Sequence, residues 1–299
     1  MKKSKPLKIA VLGVGGIGSC FAFQLARVGG HDVTTIARPG SKRLEELKRD
    51  DGIVDVQGER AQVSVAQELD HQIEYDLIIV TLKAYQLPPV LTSLQKSAAK
   101  CILFMINIFE PELLRDQLGA TRCFFGIPFV QASIDGSGRL RCTIGAGGQK
   151  SLIGQQTCVD IFTSSGVPAI LEANILLWLR CHIPLCIAFE SISVAGMRRG
   201  GGGSWSDSMV IARGIQESLK LIKKLGYSVY PAAKIWISRA PLWMLASLLW
   251  TVSRIKSFRE LLASGEDECR WLVDQLIIKA TDAEVCSAGI DRIRAMKPK

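Results

Sequence analysis

Lys8-Ile9-Ala10-Val11-Leu12-Gly13-Val14-Gly15-Gly16-Ile17-Gly18 is an apolar run that ends in a glycine cluster, and Ser19-Cys20-Phe21-Ala22-Phe23-Gln24-Leu25-Ala26 continues it with helical periodicity. That change of period predicts a buried strand, a tight turn and a helix. Gly13, Gly15 and Gly18 stand in the G-x-G-x-x-G spacing. In this context Gly13 permits the turn, Gly15 lets the backbone approach a pyrophosphate, and Gly18 lets the helix pack closely on the strand. Free N–H groups and the positive dipole end at the helix N-terminus complete an anion site. The loop Gly13, Val14, Gly15, Gly16, Ile17 and Gly18 is therefore the expected dinucleotide-binding segment.

Outward from this loop, strand-like runs at Leu7–Leu12, Asp32–Ala37, Leu77–Leu82, Cys101–Ile106 and Cys123–Val130 alternate with helical patterns near 17–29, 41–49, 85–98 and 110–118. Such alternation predicts a parallel sheet covered by helices. Arg139–Ile144 and Lys150–Ile153 read as a late antiparallel hairpin, 155–165 as a helix and Val167–Leu171 as a last strand. After Glu172 the strand patterns stop, and helices are expected over 174–196, 206–225, 231–253 and 266–289. The expected architecture is α/β: an N-terminal Rossmann dinucleotide-binding domain over 1–171, then an all-helical substrate and dimerisation domain over 172–299.

Composition narrows the function classes. The 299 residues carry a formal charge of +9, but the basic residues are dispersed and lack aromatic interleaving, which argues against a nucleic-acid partner. Residues 9–26 and 240–253 imitate membrane signals. The glycine fingerprint explains the first, and the second is too short to span, so no membrane partner is expected. Trp243 and Trp250 share a helical face, read as core packing or a homodimer contact. The nine cysteines include no C-x-x-C pair, and the three histidines have no metal-ligand spacing. A reducing, cytoplasmic setting without a metal site is expected.

The second strand ends at Arg38, where a site selective for NAD places Asp or Glu on the ribose 2′-OH. A guanidinium suits a 2′-phosphate instead, with Lys42 and Arg43 close behind, and this points to NADP.

Four stretches resemble the ketopantoate reductase (2-dehydropantoate 2-reductase) family. They are the glycine fingerprint with Arg38, the run Asp76-Leu77-Ile78-Ile79-Val80-Thr81-Leu82-Lys83-Ala84-Tyr85-Gln86, Met105-Ile106-Asn107, and Asn174-Ile175-Leu176-Leu177-Trp178-Leu179-Arg180. The resemblance is strong over the first 130 residues and weak afterwards. It implies a Rossmann domain followed by a helical domain of the 6-phosphogluconate dehydrogenase C-terminal type. It also implies NADPH-dependent reduction of a 2-keto acid, with Lys83 and Asn107 near the ribose and nicotinamide end.

The substrate half departs from the family. The family's lysine is Arg180 here, and the two asparagines that follow it on the helix are Pro184 and Ala188. Arginine polarises a carbonyl but does not readily give up a proton. His182 is the alternative proton donor, and Arg180, His182 and Glu190 are expected as a rewired site or an ion-pair network. Glu268 matches the family's substrate-contacting glutamate, and Ser257 lies next to the position of its serine. Arg198-Arg199 before Gly200–Gly203 suggests a lid over an acidic substrate or an interhelical loop. The chain is thus expected to be an oxidoreductase acting on a small keto acid or related carbonyl compound. The competing expectation is a non-catalytic NADP-binding sensor or structural protein.

Overall fold

A computed structural model describes residues 5–262 and 266–296; residues 1–4, 263–265 and 297–299 lie outside it. In chain order the strands are β1 (Lys8–Leu12), β2 (Asp32–Ile36), β3 (Ile53–Val54), β4 (Arg60–Ala61), β5 (Ser64–Ala66), β6 (Leu77–Val80), β7 (Ile102–Met105), β8 (Cys123–Ile127), β9 (Val130–Ile134), β10 (Leu140–Ile144), β11 (Ser151–Ile153) and β12 (Ala169–Leu171). The first five helices are α1 (Gly16–Arg27), α2 (Lys42–Arg49), α3 (Pro88–Lys96), α4 (Pro111–Leu118) and α5 (Gln156–Ser164). The next seven are α6 (Ile175–Arg198), α7 (Trp205–Lys224), α8 (Ala232–Arg239), α9 (Leu242–Val252), α10 (Lys256–Leu262), α11 (Glu266–Asp282) and α12 (Ala288–Ala295).

Contacts divide the chain into two compact units. One runs to Asn107 and resumes over Pro111–Ile175; the other joins Ile108–Glu110 to the chain from Leu176 onward.

The first unit is built on an eight-stranded sheet in the order β12-β11-β8-β7-β6-β1-β2-β5. Its pairs are parallel except β11 with β8. The central strands read as unbroken apolar runs because both faces are covered: Ile9, Val11, Ile79 and Leu103 are fully buried. The chain leaves β1 for β2 and β5 on one side, then returns to β6 on the other, so the direction reverses beside β1. Leu12 pairs with Ile36 and with Val80, which brings Gly13, Ala37 and Thr81 out at the same sheet edge. In open α/β sheets this is where ligands bind.

Two expectations for this unit need correction. Arg139–Ile144 does not pair with Lys150–Ile153. Instead β10 pairs with β9, which continues the run starting at Cys123 after a break at Pro128, while β11 joins the main sheet. The reason is the Asp135–Gly138 turn: the Asp135 carboxylate accepts from Ser137 N, Ser137 Oγ and Arg139 N, and Gly138 takes φ +88°. The short strands β3, β4 and β5 were not foreseen at all.

The helical unit packs around α6, whose Cys181, Ile183, Ala188 and Ile192 are completely buried. By length and composition α6 could cross a membrane, yet most of it is enclosed by the unit's own core. Pro184 lies inside it without ending it. The single helix expected over 231–253 is two, α8 and α9, bent by 111°. Pro241 removes an N–H and holds Ala240 extended, which ends α8. The bend turns Trp243 outward, 60% exposed, so it does not pack in the core. The helix expected over 266–289 is likewise two, α11 and α12, and α10 was not foreseen. All six tryptophans lie beyond Ile175, in this unit.

Candidate functional site

At the carboxyl edge of the first unit's sheet, a groove of about 550 Å³ opens beside the glycine turn. Gly13 adopts φ +94°, and a Cβ there would press on Leu82 N. A Cβ on Gly18 would run into the Gly13 carbonyl, and one on Gly16 into the Ala132 carbonyl of the β9–β10 hairpin. At Gly15 a Cβ would meet nothing, so that face of the backbone is open to a ligand. No side chain caps α1 at Gly15, and its first turn holds no acidic residue, which leaves its N–H groups for an anion.

Side chains hold this turn in shape. Thr81 Oγ1 donates to Gly13 O at 2.6 Å, and Ser19 Oγ donates to Val14 O at 3.0 Å. Arg43 adds a clamp that sequence reasoning missed. Its Nε donates to Val14 O (3.2 Å), and its terminal nitrogens donate to Ser19 Oγ (3.0 Å) and Gly138 O (2.9 Å) and pair with Glu46 (3.1 Å). Burial pulls the Arg43 pKa down while Glu46 opposes the shift. Lys42 is also committed, to Glu46 at 3.4 Å and Gly136 O at 3.2 Å. Arg38 differs: it is exposed on the groove wall, and its side chain makes no hydrogen bond or ion pair among the described residues, while its carbonyl accepts from Ser41 Oγ at 2.7 Å. A second cavity of about 410 Å³ shares Gly13, Ile36, Arg38 and Leu82 with the groove and adds the apolar Leu69, Pro89 and Val90.

Lys83 also lines the groove. The Lys83-Ala84-Tyr85-Gln86 segment forms a short 3₁₀ turn in which Lys83 N donates to the Gln86 side chain at 3.1 Å. The glutamine therefore fixes the lysine's backbone. Asn107 follows β7, the neighbour of β6, by two residues.

In the helical unit, Arg180 is only 2% exposed and lines a cavity of about 210 Å³. Its guanidinium carbon lies 3.7 Å from the Tyr227 ring centre and 5.7 Å from that of Phe109. Lys279 and Glu110 form an ion pair of 3.1 Å in the same lining. The negative faces of the two rings attract the guanidinium charge.

The expected grouping of Arg180, His182 and Glu190 is not what the structure builds. Residues two apart on a helix are turned by about 200°, so Arg180 and His182 face opposite ways. His182 stacks on Trp178 with ring centres 4.5 Å apart. Lys234 Nζ lies 4.2 Å from the Trp178 ring and donates to Trp178 O at 3.3 Å. Burial, reinforced by the Lys234 charge, lowers the His182 pKa to about 3. At neutral pH it is an uncharged ring, not an imidazolium acid. Glu268 does not line the Arg180 cavity either. It lies with Glu190 near Cys186, whose thiol is pushed up by burial first and by these two carboxylates next. Ser257 is exposed on α10.

The glycine-rich segment is a fixed corner and no lid. Gly203 N donates to Ser253 Oγ at 3.0 Å, and Ser204 caps α7 by accepting from Asp207 N. Arg198 donates to Met296 O at 2.7 Å and Arg199 to Asp207 at 3.2 Å, so both arginines are engaged.

Residues 9–155 match the sequence profile of the family described as ketopantoate reductase PanE/ApbA. No curated protein sequence matches the chain. Among solved structures, the chain is similar to the PanE/ApbA family ketopantoate reductase from Ralstonia eutropha JMP134, with TM-score 0.74, 18% identity and 97% of each chain covered. It is similar to D-mandelate dehydrogenase in complex with NADH and anilino(oxo)acetate, with TM-score 0.75, 15% identity, and 97% of this chain and 96% of that one covered. A probable 2-dehydropantoate 2-reductase from Bacillus subtilis gives TM-score 0.70 and 16% identity over 97% of this chain and 100% of that one. At these identities the solved structures establish a common fold.

Proposed function

This chain is a divergent member of the ketopantoate reductase family, and from that footing we propose that it is an NADPH-dependent oxidoreductase. It reduces the keto group of a small, acidic substrate other than ketopantoate. The observation that carries the reading is the groove at the Gly13–Gly18 turn with Arg38 on its wall.

The residues present fit the dinucleotide. The uncapped N-terminus of α1 and the open face of Gly15 take the pyrophosphate. The Arg38 guanidinium, which has no partner among the described residues, takes the 2′-phosphate. The second cavity, apolar along Leu69, Leu82 and Val90, suits the adenine ring on that side. Lys83 and Asn107 line the nicotinamide end, as the family resemblance implies. When bound, the nicotinamide supplies a hydride.

The chain's own residues then have two tasks. Arg180, positioned against the rings of Tyr227 and Phe109, stabilises negative charge developing on the substrate oxygen. A proton must reach that oxygen from another group, since arginine keeps its own. The D-mandelate dehydrogenase complex, which holds NADH and anilino(oxo)acetate, supports the substrate class and a nicotinamide cofactor. Arg38 tips the preference to NADPH. Nine cysteines without a disulfide among the described residues suit a reducing, cytoplasmic setting. Outward-facing Trp236, Trp243 and Leu248 support a homodimer through the helical unit.

Replacement of the family's lysine and asparagines by Arg180, Pro184 and Ala188 favours a second reading, an NADP-binding protein without turnover. Titration with NADPH followed by a keto-acid panel, read as loss of nicotinamide absorbance, separates the two. Turnover supports the reductase. Tight binding without turnover supports the second reading, and absence of binding defeats both.

A further inference from the structure

Four of the five cysteines before Ile175 stand in two contacting pairs, and all are free thiols. Cys101 Sγ, just before β7, is 3.6 Å from Cys158 Sγ on α5. Cys20 on α1 is hydrogen-bonded to Cys142 on β10. Each pair couples a buried sulfur, Cys20 or Cys158, to a partly exposed one, Cys142 or Cys101. The fifth, Cys123, is buried, and its thiol is pushed up to about 12 by burial.

The pairing makes the outer sulfurs the acidic ones. The hydrogen bond from Cys20 pulls Cys142 down to about 7, against the effect of burial. Cys101 is lowered in the same way by Cys158. A thiolate near solvent attacks oxidants, whereas a thiol sealed in apolar packing does not. A partner sulfur already in contact then competes with further oxidation of the first.

We propose that Cys142–Cys20 and Cys101–Cys158 are two dithiol modification sites that hydrogen peroxide converts to disulfides in the folded protein. The Cys142 sulfur attacks one peroxide oxygen, the O–O bond breaks, and the departing oxygen leaves as water with the thiol proton. Cys142 is then a sulfenic acid, oxidised by two electrons. The Cys20 sulfur attacks it, the S–O bond breaks, and a second water carries off the Cys20 proton. Two thiols and one peroxide give one disulfide and two waters. Cys101 and Cys158 react in the same sequence.

The first bridge has a structural consequence at the groove. Cys142 pairs across the hairpin with Ala132, the residue whose carbonyl abuts Gly16. Ile134 and Asp135 of that hairpin line the groove. A Cys20–Cys142 disulfide therefore ties the hairpin wall to the glycine helix.

The test treats the whole reduced protein with a few equivalents of hydrogen peroxide, blocks remaining thiols and maps the peptides. Each bridge lowers the mass by about 2 Da, is reversed by dithiothreitol, and yields linked peptides 20–142 and 101–158 only. Cys142→Ser removes the first bridge and leaves the second; Cys101→Ser does the reverse. Circular dichroism checks that both variants fold. On oxidation, amide exchange over residues 130–144 slows about tenfold in the native protein but not in Cys142→Ser. Oxidation of the exposed Cys286 with the four paired sulfurs still reduced, or linked peptides in other pairings, overturns the sites. Unchanged exchange over the hairpin overturns the tie to α1.

Discussion

The two units place function in the chain differently. In the first, the site is made largely of backbone: a glycine turn, an uncapped helix end and the carboxyl edges of β1, β2 and β6. In the second, the site is made of side chains from distant segments: Arg180 on α6, Tyr227 after α7, Lys279 on α11, and Phe109 from the loop after β7. A backbone site tolerates almost no added atoms. A side-chain site tolerates repacking but depends on which helix face each group occupies. Substitutions at the glycine turn should therefore act through shape, and those at Arg180 through charge.

The sharpest contrast is between two glycines of one turn. Gly18→Ala puts a Cβ onto the Gly13 carbonyl, and NADPH binding should fall beyond detection, with a lower unfolding midpoint. Gly15→Ala meets no protein atom, so the midpoint should hold while NADPH affinity drops about tenfold or more, because the methyl fills the phosphate's approach. Calorimetric titration and thermal unfolding read both. If Gly15→Ala binds NADPH like the parent, the anion cradle is misplaced.

Next comes Arg180→Met, which keeps the stem and removes the charge. Turnover of a responsive keto acid should fall about 10²- to 10³-fold with NADPH affinity unchanged, measured by steady-state kinetics and titration. Unchanged turnover would move the oxyanion cation elsewhere. Arg38→Asp should weaken NADPH about 10- to 100-fold and leave NADH within about twofold, read by competitive titration. Equal weakening of the two would show that Arg38 does not recognise the 2′-phosphate.

The smallest catalytic effect is expected at His182. His182→Phe preserves a ring against Trp178 and should leave turnover within about twofold. Its signature is in acid. The folded pKa lies near 3, below the ordinary 6.5, so the unfolded chain takes up the proton first. Stability contributed by the neutral ring is complete above pH 6.5 and is lost as pH falls towards 3. The variant should show a shallower decline of the urea midpoint between pH 7 and pH 5. An unchanged decline would show that His182 titrates normally.

The same contrast explains what could be read from sequence. The Gly13–Gly18 spacing, the strand-end Arg38 and the Lys83–Gln86 motif are local signals whose geometry follows from consecutive residues. The β9–β10 pairing was missed although its turn, Asp135-Gly136-Ser137-Gly138, is written in the chain; that signal outweighs the likeness of Lys150–Ile153 to a hairpin partner. The Arg43 clamp was hidden because its acceptors, Val14 O and Gly138 O, are backbone atoms far away in sequence. In the helical unit, α6 is apolar on nearly every side, so periodicity could not tell the Arg180 face from the His182 face. The break at Pro241 was missed, with one helix expected over 231–253, although its signal is local: a proline within a helical pattern ends or redirects it.

The placement of every tryptophan beyond Ile175 makes the molecule a labelled object. Indole emission follows the helical unit alone, while far-ultraviolet circular dichroism weighs both units. Denaturation curves that coincide in the two signals mean one cooperative transition, and curves that separate mean two. Trp178, lying between an imidazole and an ammonium group, gives that emission an internal probe of the α6–α8 contact without any added dye.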